Sequence, residues 1–266
     1  MVGVYADLVH YRELFASLFQ RELRARFKGS VLGLGWYLAY PLVLMGAYTL
    51  VFSVLWVAVE VKYYPLFLLA GLAPWVFFST ALQSATRSLL LSAPLVKRVR
   101  FPRQLVPLSV TATHLVTLVV MLAVLVPINF VLLPETRDTV WLVFPLGLLL
   151  VCLTSGLGLI VACANVFFRD VEHLISALLV PWFFLTPVLY TFESLPGAVQ
   201  RHGTIIDVLY YGNFVTPFIS AIRDPLYFGR LPRATDVVYA VVASVLALAL
   251  GAFVFRRLDD HLAVEL

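Results

Sequence analysis

Side chains able to do chemistry are few in this chain, and where they stand limits what it can do. The carboxylates Glu60, Glu135, Asp138, Asp170, Glu172, Glu193, Asp207, Asp224 and Asp236 all fall near the ends of long apolar runs or between them. Proton- and ion-coupled transporters place ionisable groups at mid-membrane depth, so this distribution speaks against such coupling. The sequence has no G-x-x-x-x-G-K-[ST] loop, no H-E-x-x-H and no G-x-S-x-G. It therefore lacks a phosphate-cradling loop, a zinc-binding helix pair and a nucleophile elbow. Neither a catalytic nor a metal site is expected, and the chain reads as non-enzymatic by itself. Cys152 and Cys163 lie in one apolar stretch and read as small buried hydrophobes.

Four polar residues sit inside apolar runs: Arg87, His114, Asn129 and Asn165. Arg87 is six residues before the Ala93–Pro94 break. It either snorkels to an interface or touches a substrate. His114 stands among Thr111, Thr113 and Thr117, which reads as a hydrogen-bonded contact between helices rather than a ligand. A second pattern is aromatic. Trp36, Tyr40, Leu44, Tyr48, Phe52 and Trp56 recur every four residues, which stacks them along one helix face. Trp36 and Trp56 suit interfacial anchoring. Tyr40 and Tyr48 lie deeper, where rings with hydroxyls suit either helix packing or sliding contact with sugar rings.

These residues need long apolar elements to hold them. The 266 residues are 62% hydrophobic and 13% charged, with a mean hydropathy of +0.96. Soluble domains average about 45–50% apolar and about 25% charged, and one of this length cannot hide so much apolar surface. The expected fold is all-α: a polytopic membrane protein of six transmembrane helices. The runs are approximately 31–59, 64–91, 105–133, 140–167, 174–190 and 237–255, against the roughly 20 apolar residues per helix that a bilayer core of about 30 Å needs. The first begins after a long charged segment, which argues against a cleaved signal peptide.

Residues 1–30 read as an amphipathic helix. Phe15, Phe19, Leu23 and Phe27 repeat every four residues, with Arg12, Arg21, Arg24 and Lys28 elsewhere, a pattern suited to the membrane interface. Twelve Lys and Arg precede span one or follow spans two, four and six, against six on the opposite side. The positive-inside rule makes the richer side, with both termini, cytoplasmic. The same clustering at span ends argues against nucleic acid as the partner of this basic chain. Residues 191–233 are too apolar for a solvated loop. They read as a short re-entrant helical hairpin dipping from the outer face, or as two helices lying flat on it. The short basic stretch 92–105, broken by Pro94 and Pro102, is compact enough to dock on a cytoplasmic partner.

The segment Arg21-Glu22-Leu23-Arg24-Ala25-Arg26-Phe27-Lys28-Gly29-Ser30-Val31-Leu32-Gly33, followed by Trp36 and Pro41, resembles the opening of the ABC-2 permeases that export O-antigen, teichoic acid and capsule polysaccharides. Further matches are Phe101-Pro102-Arg103 with Pro107, Phe167 to Val171, Thr186-Pro187-Val188, and Asn213 to Arg223. Three positions depart from the family pattern: Gly35 for a bulky residue, Gln104 for an acid, and Phe214 for a proline.

The resemblance implies an N-terminal interface helix (1–30) before a transmembrane domain (31–266). It implies a coupling loop about 92–105, docking on an ATPase through Lys97, Arg98, Arg100, Phe101, Pro102 and Arg103. An outer gate hairpin about 195–228 would use Tyr211, Asn213, Phe214, Pro217 and Arg223. Two copies would pair with two nucleotide-binding subunits that carry ATP and Mg, with no cofactor in this chain. The cargo would be a lipid-linked polysaccharide crossing a bacterial inner membrane. Arg24, Arg26 and Lys28 would meet its head group, and Trp36, Tyr37, Tyr40, Tyr48 and Phe52 would line its channel. The rivals are an ABC-2 exporter of a drug or small amphiphile, an ATP-independent secondary transporter or channel, and a membrane enzyme.

Overall fold

The computed structural model describes residues 7, 10–27, 29–30, 33–55, 61–98, 101–191 and 203–265. Lys28, Trp56, Arg100, the side chain of Tyr37 and residues 192–202 of the expected outer hairpin lie outside that set. Among the described residues every regular element is helical. The α-helices are α1 (Arg12–Phe27), α2 (Trp36–Thr49), α3 (Tyr64–Leu91), α4 (Ala93–Arg98), α5 (Leu105–Leu132), α6 (Val143–Phe167), α7 (Val171–Leu185), α8 (Gly203–Gly212), α9 (Thr216–Arg223) and α10 (Ala234–Glu265).

Four helical segments are long and apolar enough to cross a bilayer: Tyr64–Leu91, Leu105–Leu132, Val140–Phe167 and Ala234–Asp259. Two shorter apolar helices, Leu38–Phe52 and Val171–Leu185, occupy the places of the first and fifth expected spans. The described end of the first winds as a π-helix over Leu50–Leu55. Helix α7 starts earlier than expected because the Asn165 Oδ1 accepts the Glu172 backbone N–H at 3.0 Å, satisfying a donor of its first turn. It stops at Leu185 because Thr186 precedes Pro187 and is extended at ψ 133°, as a residue before proline prefers. Helix α10 runs on past Phe255 to Glu265, and Leu262 on that extension is buried.

Helix α3 is the centre of the bundle: 83% of its apolar window is buried, against 33% for α5 and 28% for α10. The outer helices leave Val119, Phe130, Val131, Leu148, Val180, Val238, Val242 and Phe253 exposed. A soluble monomer does not tolerate bands of this kind, and lipid does. Small residues set the tightest contact. A Cβ on Gly156 of α6 would strike the backbone of Ala247 and Leu248, and one on Gly251 would strike Gly156 itself. Ser244 of α10 donates to the Leu149 carbonyl at 2.7 Å across the same seam. The small residues Ser244, Ala247 and Gly251 of α10 therefore serve close approach to α6, with Gly156 as their partner.

Helix α1 lies against α5. Leu18 is buried and Leu14 and Phe15 pack beside it on Leu105, Val106 and Phe255. One edge of α1, centred on Leu18, is thus covered by protein.

Candidate functional site

The basic segments converge at one end of the bundle. Arg21 of α1 donates to the Ser92 hydroxyl at 3.2 Å, and Gln104 donates to Asp7 at 2.6 Å. Arg103 pairs with Asp259 of α10 at 3.0 Å. Gln104, which departs from the family's acid, thus accommodates an aspartate from the N-terminal segment.

Just inside this end is a cavity of about 360 Å³ between α1, α2, α3 and α5, lined by Arg26, Trp36, Tyr40, Gln83, Arg87 and His114 among others. His114 is 3% exposed and stands two and a half turns into α5. Arg26 Nη2 lies 2.5 Å from its Nε2, and Thr80 Oγ1 lies 2.8 Å from its Nδ1. Arg26 Nη1 also lies 3.3 Å from Nδ1; a guanidinium only donates, so the shorter contact is met with the lone pair on Nε2 and the proton on Nδ1. The Nδ1–H then donates to Thr80, whose hydroxyl donates to the Val76 carbonyl at 2.6 Å. This chain holds the imidazole neutral and aims Arg26 at the cavity. His114 is thus an interhelical contact as expected, but its partners are not its sequence neighbours. Thr111 and Thr113 bond carbonyls of their own helix, Pro107 and Val110.

A second cavity of about 300 Å³ adjoins the first, between α2, α3 and α7. The two share Tyr40, Val76, Thr80 and Gln83 as lining. Tyr48 forms part of its wall and stacks on Phe183 with ring centroids 5.5 Å apart. Phe52 packs against Tyr48 at 6.5 Å. The aromatic stripe of α2 therefore divides. Trp36 and Tyr40, more than half exposed, face open space, and Tyr48 and Phe52 join the packed core.

Of the expected head-group cations, Arg26 lines the first cavity. Arg24 is exposed and is not among its lining residues. In the 92–105 loop, Lys97 and Arg98 at the end of α4 are exposed. Phe101 packs against the small cluster around Leu105 and Phe255, Pro102 is half-buried, and Arg103 is engaged with α10.

The expected outer-gate residues sit at the opposite end. Helix α9 is buried almost throughout. Arg223 is 3% exposed. It donates to the carbonyls of Pro187 at 2.7 Å, Val188 at 2.8 Å and Tyr190 at 3.3 Å, over the face of Phe67 at 4.2 Å. Asn213 accepts from Trp182 Nε1 at 2.7 Å and donates to Thr186 at 2.8 Å. Phe214 lies edge-on to Trp182 at 4.8 Å, so the residue replacing the family's proline fills an aromatic cluster. Pro217 is buried in the first turn of α9. Tyr211 is exposed and its hydroxyl bonds Thr235 at 3.3 Å. A cavity of about 520 Å³ opens beside these residues. Burial pushes the Tyr210 phenol on its wall well up from its ordinary value, where it donates to Asp236 at 2.7 Å.

The reading from residue types overlooked a polar stripe on α3. Thr80, Gln83, Ser84 and Arg87 recur at i, i+3, i+4 and i+7, one face of a helix, and all four line the first cavity. That spacing was visible, though diluted within a 28-residue apolar helix. Trp75, Phe183 and Glu172 had no comparable signal.

The chain matches the ABC-2 type transporter family over residues 13–227. It is 31% identical over 266 residues, 99% of each chain, to the O-antigen export system permease protein RfbA of Myxococcus xanthus. It is 29% identical over 191 residues to the protein of the same name from Klebsiella pneumoniae, covering 71% of this chain and 73% of that one.

Proposed function

The chain belongs to the ABC-2 type transporter family, and from that membership we propose that it is the membrane subunit of an ATP-driven exporter of lipid-linked polysaccharide. The observation that carries the reading is the pair of adjoining cavities, which share Tyr40, Val76, Thr80 and Gln83. Cations stand at the basic end, and aromatic rings follow along α2, α3 and α7. A lipid-linked glycan has this order of chemistry: an anionic phosphate or pyrophosphate, then sugar rings. Arg26 would hold the anion by charge-assisted bonds. Trp36 and Tyr40, the rings left open, would offer ring faces to successive sugars without a tight site, which suits a polymer that must keep moving. The names of the relatives support a polysaccharide cargo.

In this reading α2 with its π-turn and α7 complete six spans. The buried α9 dips from the outer side, and both termini face the cytoplasm of a bacterial inner membrane. Two copies enclose the path. Two separate subunits bind ATP and Mg and act through α4, whose exposed Lys97 and Arg98 meet them. ATP binding then shifts the balance between closed and open bundles.

The test is purification of the tagged chain from its own membranes. A nucleotide-binding subunit in equal amount, with ATPase activity, is the expected result. Deletion of the chain should also leave lipid-linked glycan inside the cell. A chain that purifies alone and transports when reconstituted alone refutes the proposal.

A further inference from the structure

We infer that Arg87 is a second anion-binding cation of the entry cavity and Glu172 its resting counter-ion, displaced when a phosphate or pyrophosphate head group enters. The inference rests on the reading of this cavity as the entry site.

Arg87 and Arg26 both line the cavity, from different helices. Among its described lining residues none is a carboxylate, while Gln83, Ser84 and Trp36 all bring donors. A pyrophosphate spreads its charge over two groups and is met best by cations on two sides. Arg26 is held in place by the neutral acceptor His114. Arg87 is held loosely: its Nη1 lies 3.8 Å from Glu172 Oε1, and both side chains are partly exposed, at 46% and 35%. That is beyond the length of a charge-assisted hydrogen bond, and an exposed pair of this kind is weak. An arriving dianion therefore competes with Glu172 on favourable terms.

The displacement has a consequence at the basic end. Glu172 stands in the first turn of α7, its N–H held by Asn165 of α6. The Arg87–Glu172 pair and the Gln83–Ser176 bond at 2.8 Å both tie α3 to α7. Head-group binding removes the first tie, so occupancy is transmitted to the α6–α7 turn.

The test uses the full chain, with whatever subunits accompany it, in nanodiscs. The probes are farnesyl pyrophosphate, inorganic pyrophosphate and farnesol, read by tryptophan fluorescence, since Trp36 lines the cavity. Arg87→Gln should weaken farnesyl pyrophosphate on the order of tenfold to a hundredfold, the worth of one charged hydrogen bond. Glu172→Gln should tighten it severalfold, with farnesol unaffected by either. Competition by inorganic pyrophosphate at similar concentrations marks a free-anion site; its failure to compete marks a lipid head-group site, and both support an anion site. The swap Arg87→Glu with Glu172→Arg separates binding from structure. A purely structural pair is rescued by the swap, whereas an anion site stays impaired, and rescued binding overturns the inference. If Arg26→Gln abolishes binding while Arg87→Gln and Glu172→Gln change nothing, this inference fails and the entry reading stands. If Arg26→Gln is also without effect, the entry reading fails as well.

Discussion

Gly71→Ala is a one-carbon change about two turns into α3 whose cost can be worked from the structure. A Cβ there collides with the Arg223 guanidinium and comes within 3.1 Å of the Val188 carbonyl oxygen. A long side chain would ordinarily swing aside at little cost. Arg223 has no such freedom, because it is 3% exposed and its two terminal nitrogens are bound to three carbonyls. Losing the Nη2 bond to Val188 costs about 1.5–3 kcal/mol, the range for hydrogen bonds to charged groups. Full withdrawal would leave a buried charge without its partners and cost about 3–5 kcal/mol. The expected destabilisation is therefore about 2–4 kcal/mol. Arg223→Met removes the collision, so Gly71→Ala in that background should cost no more than about 1 kcal/mol. The assay is a double-mutant cycle on denaturant unfolding of the purified protein in detergent. Coupling of about 1–3 kcal/mol between the two positions is expected. Strict additivity, or a neutral Gly71→Ala, would refute the claim that the glycine exists to admit the arginine. Because Arg223 fastens α9 to residues 187–190, export should fall in parallel with the loss of that fastening.

Arg26→Ala should lower export on the order of tenfold or more, the worth of a charged hydrogen bond, with Arg24→Ala milder; pulse-labelled glycan at the cell surface measures both. Tyr40→Ala should slow export while Tyr40→Phe largely preserves it, since ring faces rather than hydroxyls make the contact; equal loss in both would point instead to a hydrogen-bonding role. Gly156→Leu should disrupt the α6–α10 seam and cost about 3 kcal/mol or more, seen as loss of detergent-stable protein. Lys97→Glu with Arg98→Glu should reduce the ATPase subunit recovered with the chain, and unchanged recovery would remove α4 from the docking surface.

The apolar runs, their lengths and the gathering of Lys and Arg at alternate ends were legible in the sequence, because each is a local property of composition and period. The stripes on α2 and α3 belong to the same class: a face repeating every three or four residues is written along the chain whether or not anything meets it. What meets it is not. The Arg26–His114 contact joins residues 88 apart, and the three carbonyls beneath Arg223 lie 33 to 36 residues away. Nothing near His114 in sequence marked Thr80 as its partner, since the neighbouring threonines bond their own helix. Nor could periodicity divide the stripe of α2 between open groove and packed core, because exposure depends on which helix lies opposite. The sequence alone determined a bundle of apolar helices with a basic end and little internal charge. Tertiary structure decided which polar groups converge, because packing, not periodicity, settles which faces of distant helices share a cavity.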